Sequence, residues 1–283
     1  MDSDKWAIGF DLGGTNLRSG LVSNSGKLMF RESCPTNSAR GSDAVIQDMV
    51  AIIRDITAQS PSAIVGVGIA APGPLDPKSG IIINSPNLNW GDLHLKAILE
   101  KELETQVTLD NDSQMTAFGE RWKGVGIGCD HLVLLTLGTG VGGGVILDGR
   151  VYHGESGSAG HIGHYILDPE GPKCGCGASG CLEAYASGPN IVRRAKEAMS
   201  RGYSTSLNKL IAEDSVELTP LNIFQAAEQG DTLAIETLSD TGWYIGQVLA
   251  SLLPILDPKL IVVSGQVALA GDFILDSARR RMS

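Results

Sequence analysis

Apolar positions first cluster and alternate, then settle into helical spacing, and the whole pattern begins again near the middle of the chain. Trp6-Ala7-Ile8-Gly9-Phe10 is a short apolar run, followed after Asp11-Leu12-Gly13-Gly14-Thr15-Asn16 by a second run over 17–22. Ser23-Asn24-Ser25-Gly26 is a turn cluster, and 27–32 reads as a third strand. Over 43–59, Val45, Ile46, Met49, Ile52, Ile53 and Ile56 recur at helical spacing, with Ser42 or Asp43 as the expected N-cap. Residues 63–70 read as a buried strand stopped by Ala71-Pro72-Gly73-Pro74. A helix over 93–103, a strand over 107–109 running into Asp110-Asn111-Asp112, and a helix over 113–122 complete this half.

At His131 the opening returns. Residues 131–137 read as a strand, 138–144 (Gly-Thr-Gly-Val-Gly-Gly-Gly) as a glycine turn and 145–147 as the next strand. Asp148-Gly149 is a hairpin turn into a third strand over 150–152. Residues 190–256 are mostly helical by period, with breaks at Gly202, Pro220 and Gly230, and 259–263 is a further buried strand before Ser264-Gly265. Two halves that each open with a glycine-turned meander predict two related α/β domains facing a cleft. The boundary falls at Lys123-Gly124-Val125-Gly126, giving a small N-terminal domain over 1–123 and a larger one over 124–283.

The glycine turns carry the first candidate chemistry. Adjacent Gly13 and Gly14 let backbone N–H groups converge as phosphate oxygens require, and Asp11 can face a metal ion carried by a nucleotide. A plain hairpin is the alternative. The second turn has five glycines in seven residues, more than a hairpin needs, and each costs roughly 0.5–1 kcal/mol against alanine. Neither turn is a P-loop or a Rossmann fingerprint. Two such hairpins from similar halves fit a nucleotide clamped between domains. Asp112, where a buried strand ends, can accept a proton from a substrate hydroxyl, or can simply cap the helix it opens.

Cys174, Cys176 and Cys181 lie within eight residues, with His164 ten residues upstream. Three thiolates and an imidazole make a closed, tetrahedral zinc site of the structural kind, whereas a catalytic zinc leaves one position open. His161 reads as a hydrogen-bonded loop residue, and Cys34 and Cys129 as ordinary half-buried thiols. The 283 residues are 42% apolar and 19% charged, enough for about two domains with a sizeable core. A net charge of −10 disfavours nucleic acid and anionic membranes. No apolar run reaches the ~18 residues of a membrane span, and the first ten residues lack the features of a signal peptide. The expectation is a cytoplasmic, soluble protein.

The segments 11–15, 137–144 and 174–183 occur in an order that resembles the ROK family of bacterial sugar kinases, the glucokinase-type members most closely, over nearly the whole chain. The histidine-plus-three-cysteine motif is specific, and the glycine turns are shared with the wider hexokinase and actin-like superfamily. The resemblance implies an α/β, two-domain actin-like ATPase (ribonuclease H-like) fold with mixed sheets and an inter-domain cleft. It implies ATP-dependent phosphorylation of a hexose 6-hydroxyl, glucose first, with Mg²⁺ accompanying the ATP and a structural zinc. By that resemblance Asp112 is the general base, and Asn87, Asn111, His161, His164 and Glu183 hold the sugar. Asp11, Gly13, Gly14, Thr15, Asn16, Gly138, Thr139, Gly140, Gly142, Gly143 and Gly265 serve the nucleotide. His164, Cys174, Cys176 and Cys181 hold the zinc, which preorganises His164 and Glu183.

The chain departs from the family pattern in places. His161 stands where the family usually has Glu, as in members resembling N-acetylmannosamine kinases, which makes that sugar the alternative substrate. Ser264-Gly265-Gln266 replaces a run of three glycines, and the family typically continues past the helix that starts near Gly271. The family commonly forms homodimers, and the apolar helix over 243–255 fits either a dimer or core. A repressor of the same family needs a DNA-binding segment ahead of Asp11, where ten residues read as strand. A catalytically weak sugar-binding protein is the remaining non-enzyme alternative, against which stand Asp112 and both glycine turns.

Overall fold

Alternating burial builds β1 (Trp6–Leu12), whose Trp6, Ile8, Phe10 and Leu12 face the core. It pairs antiparallel with β2 (Asn16–Ser23), and β2 with β3 (Leu28–Pro35). The computed structural model describes residues 4–209 and 217–283. Residues 210–216, part of the helical stretch expected over 190–256, lie outside the described residues, as do 1–3.

α1 (Ser42–Ala58) buries Val45, Ile46, Met49, Val50, Ile53 and Ile56 along one stripe. Its N-cap is Gly41, not Ser42 or Asp43, which lie inside the helix. The chain enters from a 3-10 turn through a φ of 88° at Gly41, which a glycine adopts freely. β4 (Ile64–Ala71) lies parallel to β1. Next comes a small antiparallel sheet that the sequence pattern did not predict: β5 (Leu75–Asp76), β6 (Ile81–Ser85) and β7 (Trp90–Leu93). These strands are too short to display a period. α2 (Leu95–Leu103) leads to β8 (Val107–Asn111), parallel to β4, and to α3 (Asp112–Lys123). The five-stranded order is β3-β2-β1-β4-β8. At its carboxyl edge Asp11, Ala70 and Asp110 stand in one row.

The second sheet runs β11-β10-β9-β12, from β9 (Leu132–Leu137), β10 (Val141–Leu147), β11 (Arg150–Val151) and β12 (Leu260–Ser264). The strand expected at 145 starts already at Val141, and Gly142, Gly143 and Gly144 pair with Thr136, Leu135 and Leu134. The turn proper is therefore Gly138-Thr139-Gly140. Glycine composition suggested a longer loop, but a ladder needs only backbone.

The helices described in full beyond Gly160 are α4 (Glu183–Ala186), α5 (Gly188–Ser200), α6 (Pro220–Glu228), α7 (Thr232–Leu256) and α8 (Asp272–Met282). Pro220 begins α6 behind a capping box of Thr219 and Asn222. Gly230, with φ 85°, separates α6 from α7. α7 buries Ile245, Val248 and Leu249 and leaves Trp243 and Ile255 exposed.

Contacts divide the chain into two compact units, Met1–Ile127 with Tyr152–Ala159, and Gly128–Val151 with Gly160–Ser283. Each has its own apolar core. Among the described residues no helix is long and apolar enough to cross a membrane.

α8 lies against α7 at Gly242 and Gly246, and a Cβ on Gly246 would stand 2.6 Å from the Ala278 carbonyl oxygen. Gly246→Val is expected to destabilise the second unit by ~1–3 kcal/mol through overpacking, read as a lower thermal midpoint.

Candidate active site

In the first unit the candidate residues gather where β8 hands over to α3. Asn111 caps the helix: its Oδ1 accepts the N–H groups of Ser113 at 3.0 Å and Gln114 at 3.3 Å. Asp112 is thereby relieved of the capping role. Its Oδ1 accepts Ser113 N–H at 2.7 Å and the Ser113 hydroxyl at 3.2 Å. Burial, with the nearby Asp11 charge, nevertheless pushes the Asp112 carboxyl above the ordinary aspartate range. Asp11 itself meets Arg18 at 3.0 Å on the surface.

The first glycine turn is braced from below. Gly13 N–H donates to the Asn16 carbonyl at 3.0 Å, and Thr36 N–H to the Thr15 carbonyl at 2.8 Å. The Thr36 hydroxyl donates to the Gly13 carbonyl at 2.6 Å. Thr36 is fully buried, and no sequence signal marked it. A Cβ on Gly14 would lie 2.9 Å from the Asn87 carbonyl oxygen, so this glycine is what lets Asn87 sit against the turn.

In the second unit, Gly138 N–H donates to the Gly140 carbonyl at 2.9 Å, and Gly188 N–H, in the first turn of α5, donates to the Gly138 carbonyl at 2.8 Å. A Cβ on Gly138 would meet open space. That space belongs to a cavity of about 1000 Å³, lined among others by Thr139, Gly188, Lys196, Thr219 and Gln266. It is roomy enough for a nucleotide-sized ligand. The α5 and α6 residues of its wall escaped the sequence reading, because they come together only in the fold. Gly265, with φ 95°, packs against the Leu137 backbone. Gly143 leaves space for Ile162.

Glu183 opens α4 and reaches back to the turn, where its Oε2 accepts Val141 N–H at 2.9 Å. Its Oε1 lies 3.6 Å from Cys174 Sγ. The side-chain donors of His164, Cys174, Cys176 and Cys181 all lie within 4.8 Å of one another. Cys176 and Cys181 sulfurs are 3.7 Å apart, and Cys174 Sγ is 3.8 Å from His164 Nδ1. Bonds of about 2.3 Å to a central ion place tetrahedral sulfurs about 3.8 Å apart, so the donors fit a four-coordinate metal. Burial pushes the Cys174 thiol up to about 12 and raises Cys181, while the Ala178 N–H lowers Cys176. Buried thiols of this kind ionise readily only against a cation. His161 stacks 6.5 Å from the His164 ring, and burial together with that neighbour holds its imidazole below the ordinary range.

The ROK family model matches residues 7–283. The chain belongs to the ROK family. The glucokinase of Halalkalibacterium halodurans is 36% identical over 96% of this chain and 84% of that protein. A ROK family glucokinase from Streptomyces griseus, solved with glucose and AMPPNP, superposes with a TM-score of 0.81 at 31% identity, over 98% of this chain and 88% of that one. The xylose repressor of Bacillus subtilis is 29% identical over 98% of this chain and 68% of the repressor. The fold is the α/β actin-like ATPase type with mixed sheets that ROK hexokinases share.

In this ROK protein a Cβ on Gly140 would stand 2.6 Å from Glu183 Oε2. Gly140→Ala is expected to displace that carboxylate from Val141 N–H and to cost about 1 kcal/mol, read as a thermal midpoint lowered by ~2–4 °C.

Proposed function

We propose that this chain transfers the γ-phosphoryl group of ATP to the 6-hydroxyl of a hexose, glucose first. The observation that carries this is Asp112: a half-buried carboxylate at the start of α3, just past the carboxyl end of β8, freed from capping by Asn111 and with its pKa raised. A carboxylate whose pKa is raised is a stronger proton acceptor. Asp112 takes the hydroxyl proton as the sugar oxygen forms its bond to the γ-phosphorus, and the bond to the ADP oxygen breaks. The 31–36% identical glucokinases support glucose as the substrate and ATP as the donor.

Asn87, Asn111, His161, His164 and Glu183 are the proposed sugar ligands. The turn at Asp11, Gly13, Gly14, Thr15 and Asn16 and the turn at Gly138, Thr139 and Gly140 are the proposed phosphate holders, with Gly142, Gly143 and Gly265 supporting the nucleotide side. Mg²⁺ would arrive with the ATP, near Asp11. We assign the four-donor cluster to zinc, whose part is to fix the loop rather than to touch the reacting bond. His161, in place of the usual Glu, favours a second reading in which N-acetylmannosamine is the preferred sugar. ADP release measured against glucose, N-acetylmannosamine, N-acetylglucosamine, mannose and fructose separates the two, and no release with any of them overturns the kinase assignment.

Asp112→Asn is expected to lower kcat by ~10²–10⁴-fold while sugar binding persists. A carboxyl with a raised folded-state pKa favours folding below its unfolded value, and loses that contribution as pH rises through the folded one. At neutral pH the Asn variant should therefore melt slightly higher than the parent. The acid limb of the parent's pH–rate profile should lie above the ordinary aspartate value.

Cys176→Ser is expected to lose stoichiometric zinc by elemental analysis and several degrees of thermal midpoint together. An unchanged midpoint in metal-free protein would overturn the structural assignment.

A further inference from the structure

After β11 the chain leaves the second unit for eight residues, Tyr152–Ala159, packs with the first unit, and returns. Both ends of this excursion are tied to the Asn111–Asp112 turn. At one end His153 Nε2 lies 2.8 Å from Asp110 Oδ2, a hydrogen bond between side chains that are 31% and 15% exposed. At the other, Gln114 Nε2 donates to the Ala159 carbonyl at 2.7 Å. Ala159 N–H donates to the His153 carbonyl at 3.0 Å, which closes the excursion into a loop. Gly157 fits beneath it, where a Cβ would stand 3.0 Å from the Leu75 carbonyl oxygen.

Asp110 uses its two oxygens for different purposes. Oδ2 meets His153, and Oδ1 accepts the N–H of Asn111 at 2.8 Å. The Asn111 side chain in turn accepts the N–H groups of Ser113 and Gln114, and Gln114 ties back to Ala159. The result is a closed ring of hydrogen bonds, running from His153 through Asp110, Asn111 and Gln114 to Ala159 and back, with Asp112 carried inside it. Without His153, Asp110 keeps only its local bond to the next residue and can rotate away, and the turn loses a fixed point two residues before the base.

We propose that His153 is a positioning residue for catalysis: by anchoring Asp110 it holds the Asn111–Asp112 turn so that the Asp112 carboxylate is presented to the sugar hydroxyl. This rests on the kinase function proposed above. Geometry held to a fraction of an ångström is what a general base needs, and its loss falls on turnover more than on binding.

The test uses His153→Ala, His153→Gln and Asp110→Asn in the full chain. His153→Ala should lower kcat at least 10-fold with the sugar and ATP KM values within about threefold of the parent. His153→Gln, whose amide can replace Nε2–H, should recover most of that loss. Asp110→Asn combined with His153→Ala should be no worse than either alone, because both remove one bond. An independent reading is amide hydrogen exchange over 107–118, expected to quicken in His153→Ala and not in His153→Gln. Unchanged exchange there, or unchanged kcat whatever the exchange, overturns the proposal. A loss of thermal stability and of both KM values that the Gln variant fails to restore also overturns it, since that is a folding role alone. If the parent releases no ADP with any sugar, the kinase assignment fails by itself, and the exchange experiment still decides whether His153 holds the turn.

Discussion

Parallel pairing of β4 with β1 on one side and β8 on the other sets Asp11, Ala70 and Asp110 in a single row, and the candidate site of the first unit is arranged around that row. A slip of one residue in either ladder would turn every side chain to the opposite face and strip the core of Ile69 and Leu109. With the register fixed, three carboxylates collect near one sheet edge, and each is met differently. Arg18 meets Asp11 at the surface and His153 meets Asp110. Asp112 is met by the uncharged N–H and hydroxyl of Ser113. A neutral donor stabilises an anion less than the Arg18 guanidinium that meets Asp11 does. Of the three, Asp112 is the one whose carboxyl burial raises, with only neutral donors against it.

The second unit uses the smallness of glycine in two distinct ways. Gly140 and Gly143 are small because other parts of the protein press on them, the Glu183 carboxylate in one case and Ile162 in the other. Gly138 faces open space at the cavity wall. The Val141 N–H bond to Glu183 carries the position of the glycine turn to the start of α4 and, 3.6 Å further, to Cys174. Turn, helix start and cysteine cluster are thus one connected block.

Much of this was legible in the sequence because local chemistry and local structure agreed. The strand-turn-strand openings, the stripe of α1 and the spacing of Cys174, Cys176 and Cys181 each state their geometry within a few residues. What was not legible depended on partners distant in sequence. The strands β5 to β7 are too short to show a period. Gly142 to Gly144 look like loop by composition and are ladder by pairing. The cap of α1 fell to Gly41 because the chain's direction of entry, which no side chain announces, demanded a positive φ. The cavity wall on α5 and α6, the brace at Thr36 and the return of Tyr152–Ala159 to the first unit are tertiary facts with no local signature.

The segment between Gly160 and Leu182 shows why the four-donor cluster belongs to the fold. Apart from one 3-10 turn at Ile162–His164 and two isolated bridges, Ile166 with Cys181 and Lys173 with Ser179, it has no regular structure. Loops of that length without secondary structure of their own are uncommon in compact domains unless something ties them. The two bridges and the Gly177 turn, with φ 95°, bring Cys174 and Cys181 inside while His164 and Cys176 stay at the surface. Two buried thiols that resist ionisation add little to such a loop as neutral groups. A cation held at their centre would turn them into charge-bearing ligands and tie the chain from His164 to Cys181, its binding free energy adding to that of folding because the unfolded chain has no such site. Since Glu183 begins the next helix and lies 3.6 Å from Cys174 Sγ, order imposed on the loop by such an ion would reach its carboxylate and, through Val141 N–H, the glycine turn.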